Sequence, residues 1–256
     1  MASSANALAP SPPPPTLSIR SSDYPQWCPR RGTVERLAAL LEEQRIVYVR
    51  GTPASGKSLL AGFLHEYLID HGERNVIYFE DWSENERPLN QVLSACLPEG
   101  RRTQNDLIYG HHVVILDEAQ YSYRDRKLWY TVMKTTCGVD SGARFCIFNS
   151  YGSPTTGAPR QDYLPSVAPP IFRSSQRVSL MISPSEDTPD LCLFFQRDEY
   201  HDVVDRFCRM IKEFTLHSDL QDYMFSLTNG HPGMVSALLN YTREVNESQP
   251  QANLAR

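Results

Sequence analysis

Apolar residues along the chain follow two different periods. Val34, Leu37, Leu40 and Leu41 recur at the three- and four-residue spacing of a helix face, with Thr33 placed to cap it. Ile46 to Val49 is then a short apolar run of the kind that forms a buried strand. Leu59, Leu60, Phe63, Leu64, Tyr67 and Leu68 make a second helical stripe, stopped by Gly72. Further strands are expected at Val76 to Phe79, His112 to Leu116, Phe145 to Phe148 and near Val178 to Met181, with a helix carrying Leu128, Trp129, Val132 and Met133 before the fourth. This alternation predicts an α/β fold in three layers, a central parallel sheet between helices.

The last quarter of the chain reads differently. Tyr200, Val203, Val204, Phe207, Met210, Ile211 and Phe214 predict a long amphipathic helix, and Asp219 is placed to cap a second bearing Leu220, Tyr223, Met224 and Leu227. Gly230 closes that helix, and Pro232 suits the first position of a third with Val235, Leu238 and Leu239. Three helices without a strand suggest a small C-terminal helical lid docked on the sheet's edge. The expected organisation is a Pro/Ser-rich arm over 1–31, a core over 32–183, the lid over 184–246 and a flexible tail over 247–256. The arm, with four prolines at Pro12 to Pro15, is too poor in apolar residues to offset its own ordering, although Tyr24, Pro25 and Trp27 leave open a fold-back onto the core.

Composition narrows the partners. The 256 residues are 41% hydrophobic, and 25 basic against 30 acidic residues give a net charge of -5, so no chain-wide basic field indicates nucleic acid. No signal peptide and no run long enough to span a bilayer is visible, which points to an intracellular chain, cytoplasmic or nuclear. Six scattered cysteines without a C-x-x-C pair suit reduced thiols better than a metal site.

Between the first strand and the second helical stripe lies Gly51-Thr52-Pro53-Ala54-Ser55-Gly56-Lys57-Ser58, which satisfies G-x-x-x-x-G-K-[ST] at every fixed position. A triphosphate needs several donors converging on a small volume, and glycines let a loop turn its backbone N–H groups inward above a helix N-terminus. Gly51 to Leu59 would cradle the phosphates, Lys57 reach the outer ones, and Ser58 supply an oxygen to Mg2+. Chance would produce such a string in roughly one chain in a hundred of this length. The strand-loop-helix context makes chance rarer still.

Val113 to Leu116 leads into Asp117 and Glu118. A carboxylate at the C-terminal edge of a parallel sheet borders the ligand crevice, so Asp117 is the expected magnesium partner and Glu118 the group that polarises an attacking water. The bland alternative is a pair that opens a loop or caps a helix. Asn149 or Ser150 would touch the outermost phosphate or the water if their strand lies between the other two. Arg144, Arg160, Arg173 and Arg177 are candidates for stabilising transition-state charge, against ordinary surface solvation. His231 and Pro232, in the turn Asn229 to Gly233, would lie against the base or ribose, unless that turn is only a helix boundary.

With these motifs together the chain resembles the P-loop NTPases that carry an added glutamate, the group containing AAA+ and STAND ATPases, over about Thr33 to Glu244. The resemblance assigns the Walker A positions to Gly51, Gly56, Lys57 and Ser58, the Walker B aspartate to Asp117, the catalytic glutamate to Glu118 and a sensor position to Asn149. TNGHPG, at Thr228 to Gly233, looks like the G-x-P turn of STAND-type lids. More narrowly, RGTPASGKS, ILDEAQYSY with Leu128 and Trp129, and NSYGSP look like the NTPase domain of fungal Crinkler-type proteins. Two family features are missing: an arginine after the sensor strand in NSYGSP and a sensor-2 arginine in HPGMV.

The expectation is therefore a Mg2+-dependent ATPase whose turnover moves the lid. The alternatives are a nucleotide-gated interaction module with little hydrolysis, or a kinase that passes phosphate to an added acceptor. ATP against GTP, self-association and any protein partner stay open.

Overall fold

A computed structural model describes residues 26–150, 172–182, 185, 187–211 and 214–248. Tyr24, Pro25, Arg160, nearly all of the Pro-rich loop after Ser150 and the tail from 249 lie outside the described residues.

The chain opens with α1 (Arg31–Gln44), β1 (Ile46–Gly51), α2 (Lys57–Asp70) and β2 (Val76–Phe79). Then come α3 (Pro88–Cys96), α4 (Gln104–Tyr109), β3 (Val113–Leu116), a π-helical segment Leu128–Met133 running into α5 (Lys134–Thr136), and β4 (Arg144–Ser150). β5 (Arg177–Val178), α6 (Arg197–Met210), α7 (Ser218–Thr228) and α8 (Pro232–Ser248) complete it. The sheet has the order β2-β3-β4-β1-β5 with every pairing parallel. This is a three-layer α/β arrangement with a central parallel sheet between helices.

The period of two along the strands explains the layers. Val114, Leu116, Phe145 and Ile147 face one core with α3, α4 and Trp129, while Val113, Ile115, Cys146 and Phe148 face the other with α1 and α2. Strands buried on both faces must be continuously apolar, as these runs are. A third cluster, built from Tyr200, Val204, Met224, Val235 and Leu239 of α6 to α8, also takes in Cys28 from the segment before α1.

Several local expectations change. Thr33 is not a cap: α1 already begins at Arg31, and the Thr33 hydroxyl instead donates to Glu199 at 2.6 Å. Residues 26–31 belong to the fold: Trp27 packs on the α1–α2 core, Arg30 is buried and Arg31 is helical. α6 ends at Met210; Ile211 is extended, and Phe214 packs back on Phe207 from outside the helix. His217, rather than Asp219, caps α7 by accepting the Asp219 N–H. The fifth strand is two residues long, continued by an isolated bridge between Ser179 and Cys192. α3 and α4 were not anticipated, although Pro88 at an N1 position and the Thr103 side chain capping α4 are both ordinary start signals.

Candidate functional site

β1 delivers its last residue, Gly51, into a crowded corner. A Cβ there would lie 2.3 Å from both Leu193 Cδ1 and Ser55 Oγ, so no side chain fits without displacement. Ala54 (φ 61) and Gly56 (φ 82) are both left-handed and reverse the chain into α2. The Thr52 carbonyl is the hub of the loop. It accepts from the Ser55 N–H at 3.2 Å, from Ser55 Oγ at 2.8 Å and from Lys57 Nζ at 3.0 Å. Burial lowers the Lys57 ammonium from its ordinary range, while the charges of Glu118 and Asp117 push it back up. Those opposing influences put Lys57 and the acidic pair in one electrostatic neighbourhood. Ser58 is exposed on the first turn of α2, and Leu59 is half-buried beside it.

Asp117, just past β3, is buried, and each of its carboxylate oxygens accepts a hydrogen bond. Its Oδ1 accepts the Glu118 N–H at 2.9 Å and its Oδ2 accepts the Tyr78 hydroxyl at 3.2 Å. Its N–H donates to Phe79 O at 2.8 Å, and its carbonyl accepts Trp82 Nε1–H at 2.8 Å. Burial first, then the charges of Asp117 and Glu80, drive the Tyr78 phenol far above its usual range, so it stays protonated, with its one hydrogen shared between Asp117 Oδ2 and Glu80 Oε2, the latter at 3.1 Å. Glu118 itself is left-handed (φ 47), and its carboxylate accepts from Gln120 Nε2.

β4 runs between β1 and β3, the condition on which the Asn149 role depended. Asn149 pairs with Arg50 of β1 and lies two residues beyond Ile147, the partner of Leu116. It is 0% exposed, and neither amide atom has a hydrogen-bond partner. Leaving such a buried amide without a partner costs about 1–3 kcal/mol.

The start of α8 rests on the loop. Gly233 N–H donates to Ala54 O at 2.9 Å, and Pro232 packs over Gly56. The His231 Nδ1 accepts the Met234 N–H at 3.3 Å, which leaves Nε2 to donate to Thr52 Oγ1 at 3.4 Å. His231 and Pro232 are thereby brought to the loop's crest.

Arg144 is not brought there. It opens β4 at the opposite edge of the sheet and is held by Glu42 and Glu73. Arg173 and Arg177 flank the short 3-10 turn Ser174–Gln176 that leads into the edge strand. Sequence reasoning missed roles for Tyr78, Trp82 and Gln120, whose partners lie at least 30 residues away or depend on side-chain direction.

Chemically, the residues suit a polyphosphate with magnesium. The loop offers a buried ammonium and left-handed turns above a helix N-terminus. Ser58 and Asp117 give only two protein oxygens, which matches a hard cation that keeps most of its waters. Among the described residues there is no group of three or more His, Cys, Asp or Glu able to hold a metal alone, and no helix long and apolar enough to cross a membrane.

No protein-family model and no curated protein matches the sequence. Among solved structures, the chain is similar to the Walker-type ATPase PABY2304 of Pyrococcus abyssi, with 16% identity and a TM-score of 0.49 over 84% of this chain and 68% of that one. It is also similar to RuvB of Thermotoga maritima, with 14% identity and a TM-score of 0.39, covering 84% of this chain and 62% of RuvB. The ORC2 protein of Aeropyrum pernix gives 20% identity and a TM-score of 0.34 over 49% of this chain and 42% of that one. The chain spans less than two thirds of the RuvB and ORC2 chains. At these TM-scores the likenesses carry no functional conclusion, and the site stands on its own residues.

Proposed function

We propose that this chain binds ATP with Mg2+ and hydrolyses it to ADP and phosphate, with turnover coupled to movement of the α6 to α8 lid. One observation carries the reading: Lys57 and the Asp117–Glu118 pair just past β1 and β3, and the unpartnered Asn149 amide near the end of β4, lie toward the C-terminal edge of three adjacent parallel strands. Open α/β sheets bind their ligands at that edge.

In this reading the N–H groups at the head of α2 and the Lys57 ammonium grip the β- and γ-phosphates. Ser58 and Asp117 are the residues that would hold magnesium, which when bound neutralises charge on the phosphate oxygens. Tyr78 and the Glu118 N–H keep the Asp117 carboxylate aimed. Glu118 draws a proton from the attacking water, and the Asn149 amide donates to the outermost phosphate oxygen. His231 and Pro232, seated on Thr52 and Gly56, carry the nucleotide's presence into α8. The Crinkler-type resemblance rests on its three sequence stretches, of which Tyr151 to Pro154 lie outside the described residues.

The alternative, a nucleotide-gated interaction module with little turnover, is favoured by one detail: no arginine stands in NSYGSP or HPGMV to stabilise transition-state charge. Binding and phosphate release for ATP and GTP, measured on wild type, Lys57→Ala and Glu118→Gln, separate the two. Hydrolysis predicts that Glu118→Gln binds ATP but does not turn it over. A wild type that binds without releasing phosphate supports the module instead.

A further inference from the structure

We propose that Gln120 is a positioning residue for Glu118, orienting its carboxylate and tying it to the end of β4; this rests on the hydrolytic reading above. Gln120 sits in a single 3-10 turn, Ala119–Ser122, directly after Glu118. That turn is rigidly seated. Ala119 and Ser122 are buried, the Ser122 hydroxyl donates to Ala119 O at 2.6 Å, and Trp129 Nε1–H reaches Ser122 O at 3.1 Å.

From this base the carboxamide spans two elements. Its Oε1 accepts the Ser150 backbone N–H at 3.3 Å, and its Nε2 donates to Glu118 Oε2. A backbone N–H can only donate, so Ser150 dictates which end of the amide faces β4. The donor end is then forced toward Glu118, where a carboxylate accepts it in a charge-assisted bond. Glutamine alone has both functions on a stem of this length. The contact takes one carboxylate oxygen and leaves Oε1 to face a water.

The partner on β4 is significant because Ser150 directly follows Asn149, whose buried amide has no partner. A shift of the β4 end when Asn149 engages a phosphate is passed through Ser150 N–H and the Gln120 amide to the Glu118 carboxylate. Gln120 therefore links nucleotide occupancy to the orientation of the group that handles the water, and it does so without touching the nucleotide.

The test compares steady-state phosphate release and ATP affinity for wild type, Glu118→Gln, Gln120→Ala and Gln120→Glu. Gln120→Ala should lower kcat about tenfold while leaving KM and ATP affinity within about twofold, the pattern of a lost transition-state alignment. Gln120→Glu should be impaired at about pH 8, where the introduced carboxylate repels Glu118. It should recover toward wild type at about pH 6, as the introduced group gains a proton to donate; its carboxyl is raised from the ordinary range by its like-charged neighbour. A purely structural role would instead lower Tm and ATP affinity together and show no recovery with pH. A Gln120→Ala variant as fast as wild type, beside an inactive Glu118→Gln, overturns the proposal and leaves the hydrolytic reading standing. Wild-type turnover in Glu118→Gln, or no turnover in wild type, removes that reading and this inference with it.

Discussion

Glu199→Ala should destabilise the protein by about 3 kcal/mol, because it strands a buried guanidinium. Arg30 and Glu199 are only 5% and 8% exposed. The Glu199 carboxylate accepts from Arg30 Nε at 3.1 Å and Nη2 at 3.0 Å, from Thr33 Oγ1 at 2.6 Å and from the Gln196 N–H at 3.1 Å. Removing one member of such a pair generally costs about 3–5 kcal/mol. Arg30 would keep the Leu193 carbonyl at 2.8 Å and the Cys192 carbonyl at 3.1 Å, which places the expected loss at the lower end of that range. In urea, with a slope of about 2–3 kcal/mol/M, the midpoint should fall by about 1–1.5 M. A double-mutant cycle with Arg30→Met should be clearly non-additive, since the second substitution removes the stranded charge. A loss below about 1 kcal/mol, the value of an exposed pair, or simple additivity would refute the reasoning. The pair joins the segment before α1 to the first turn of α6, so the same variants also report how firmly that helix is held.

Two further outcomes follow from the packing. Gly233→Ala would set a methyl 2.6 Å from Ala54 Cβ and 2.9 Å from Ala54 O, so Tm should fall and ATP affinity weaken several-fold even though alanine favours helix by up to about 1 kcal/mol; a higher Tm would show that α8 does not press on the loop. Burial pushes the Cys28 and Cys96 thiols up to about 12 and the Cys146 thiol higher still, so at pH 8 these thiols are protonated and iodoacetamide with peptide mapping should label exposed Cys137 first. Because these folded-state values exceed the ordinary thiol value of 9.0, their contribution to stability is complete below about pH 9 and is lost as pH rises through about 12. A urea midpoint that rises across that window would contradict the burial.

The motif from Gly51 to Ser58 was legible because its chemistry lies in residues adjacent along the chain. The inner strands were legible because burial on both faces makes them uninterrupted apolar runs. Strand order was not, since nothing in Phe145 to Phe148 says that it inserts between the other two, and Asn149 depends on that order. Tyr78, Trp82 and Gln120 escaped for a related reason: Tyr78 and Trp82 are ordinary aromatic residues until the fold sets them beside Asp117, and Gln120, although near Glu118 along the chain, is an ordinary polar residue until the fold sets it against Ser150. Thr33 illustrates the opposite failure. A threonine ahead of an apolar stripe satisfies every local rule for a cap, yet a carboxylate 166 residues away engages its hydroxyl instead. Extending α6 to Phe214 failed because helical spacing of apolar residues continues past Met210, where the backbone becomes extended.

The central claim is that the amides at the head of α2 and the Lys57 ammonium hold a triphosphate. Calorimetric titration of the full chain with ATP, with and without Mg2+, tests it most directly. The account predicts magnesium-dependent binding by wild type, weakened at least about tenfold by Lys57→Ala. Equal affinity in the two proteins, or no magnesium-dependent binding of any nucleotide by wild type, would contradict it.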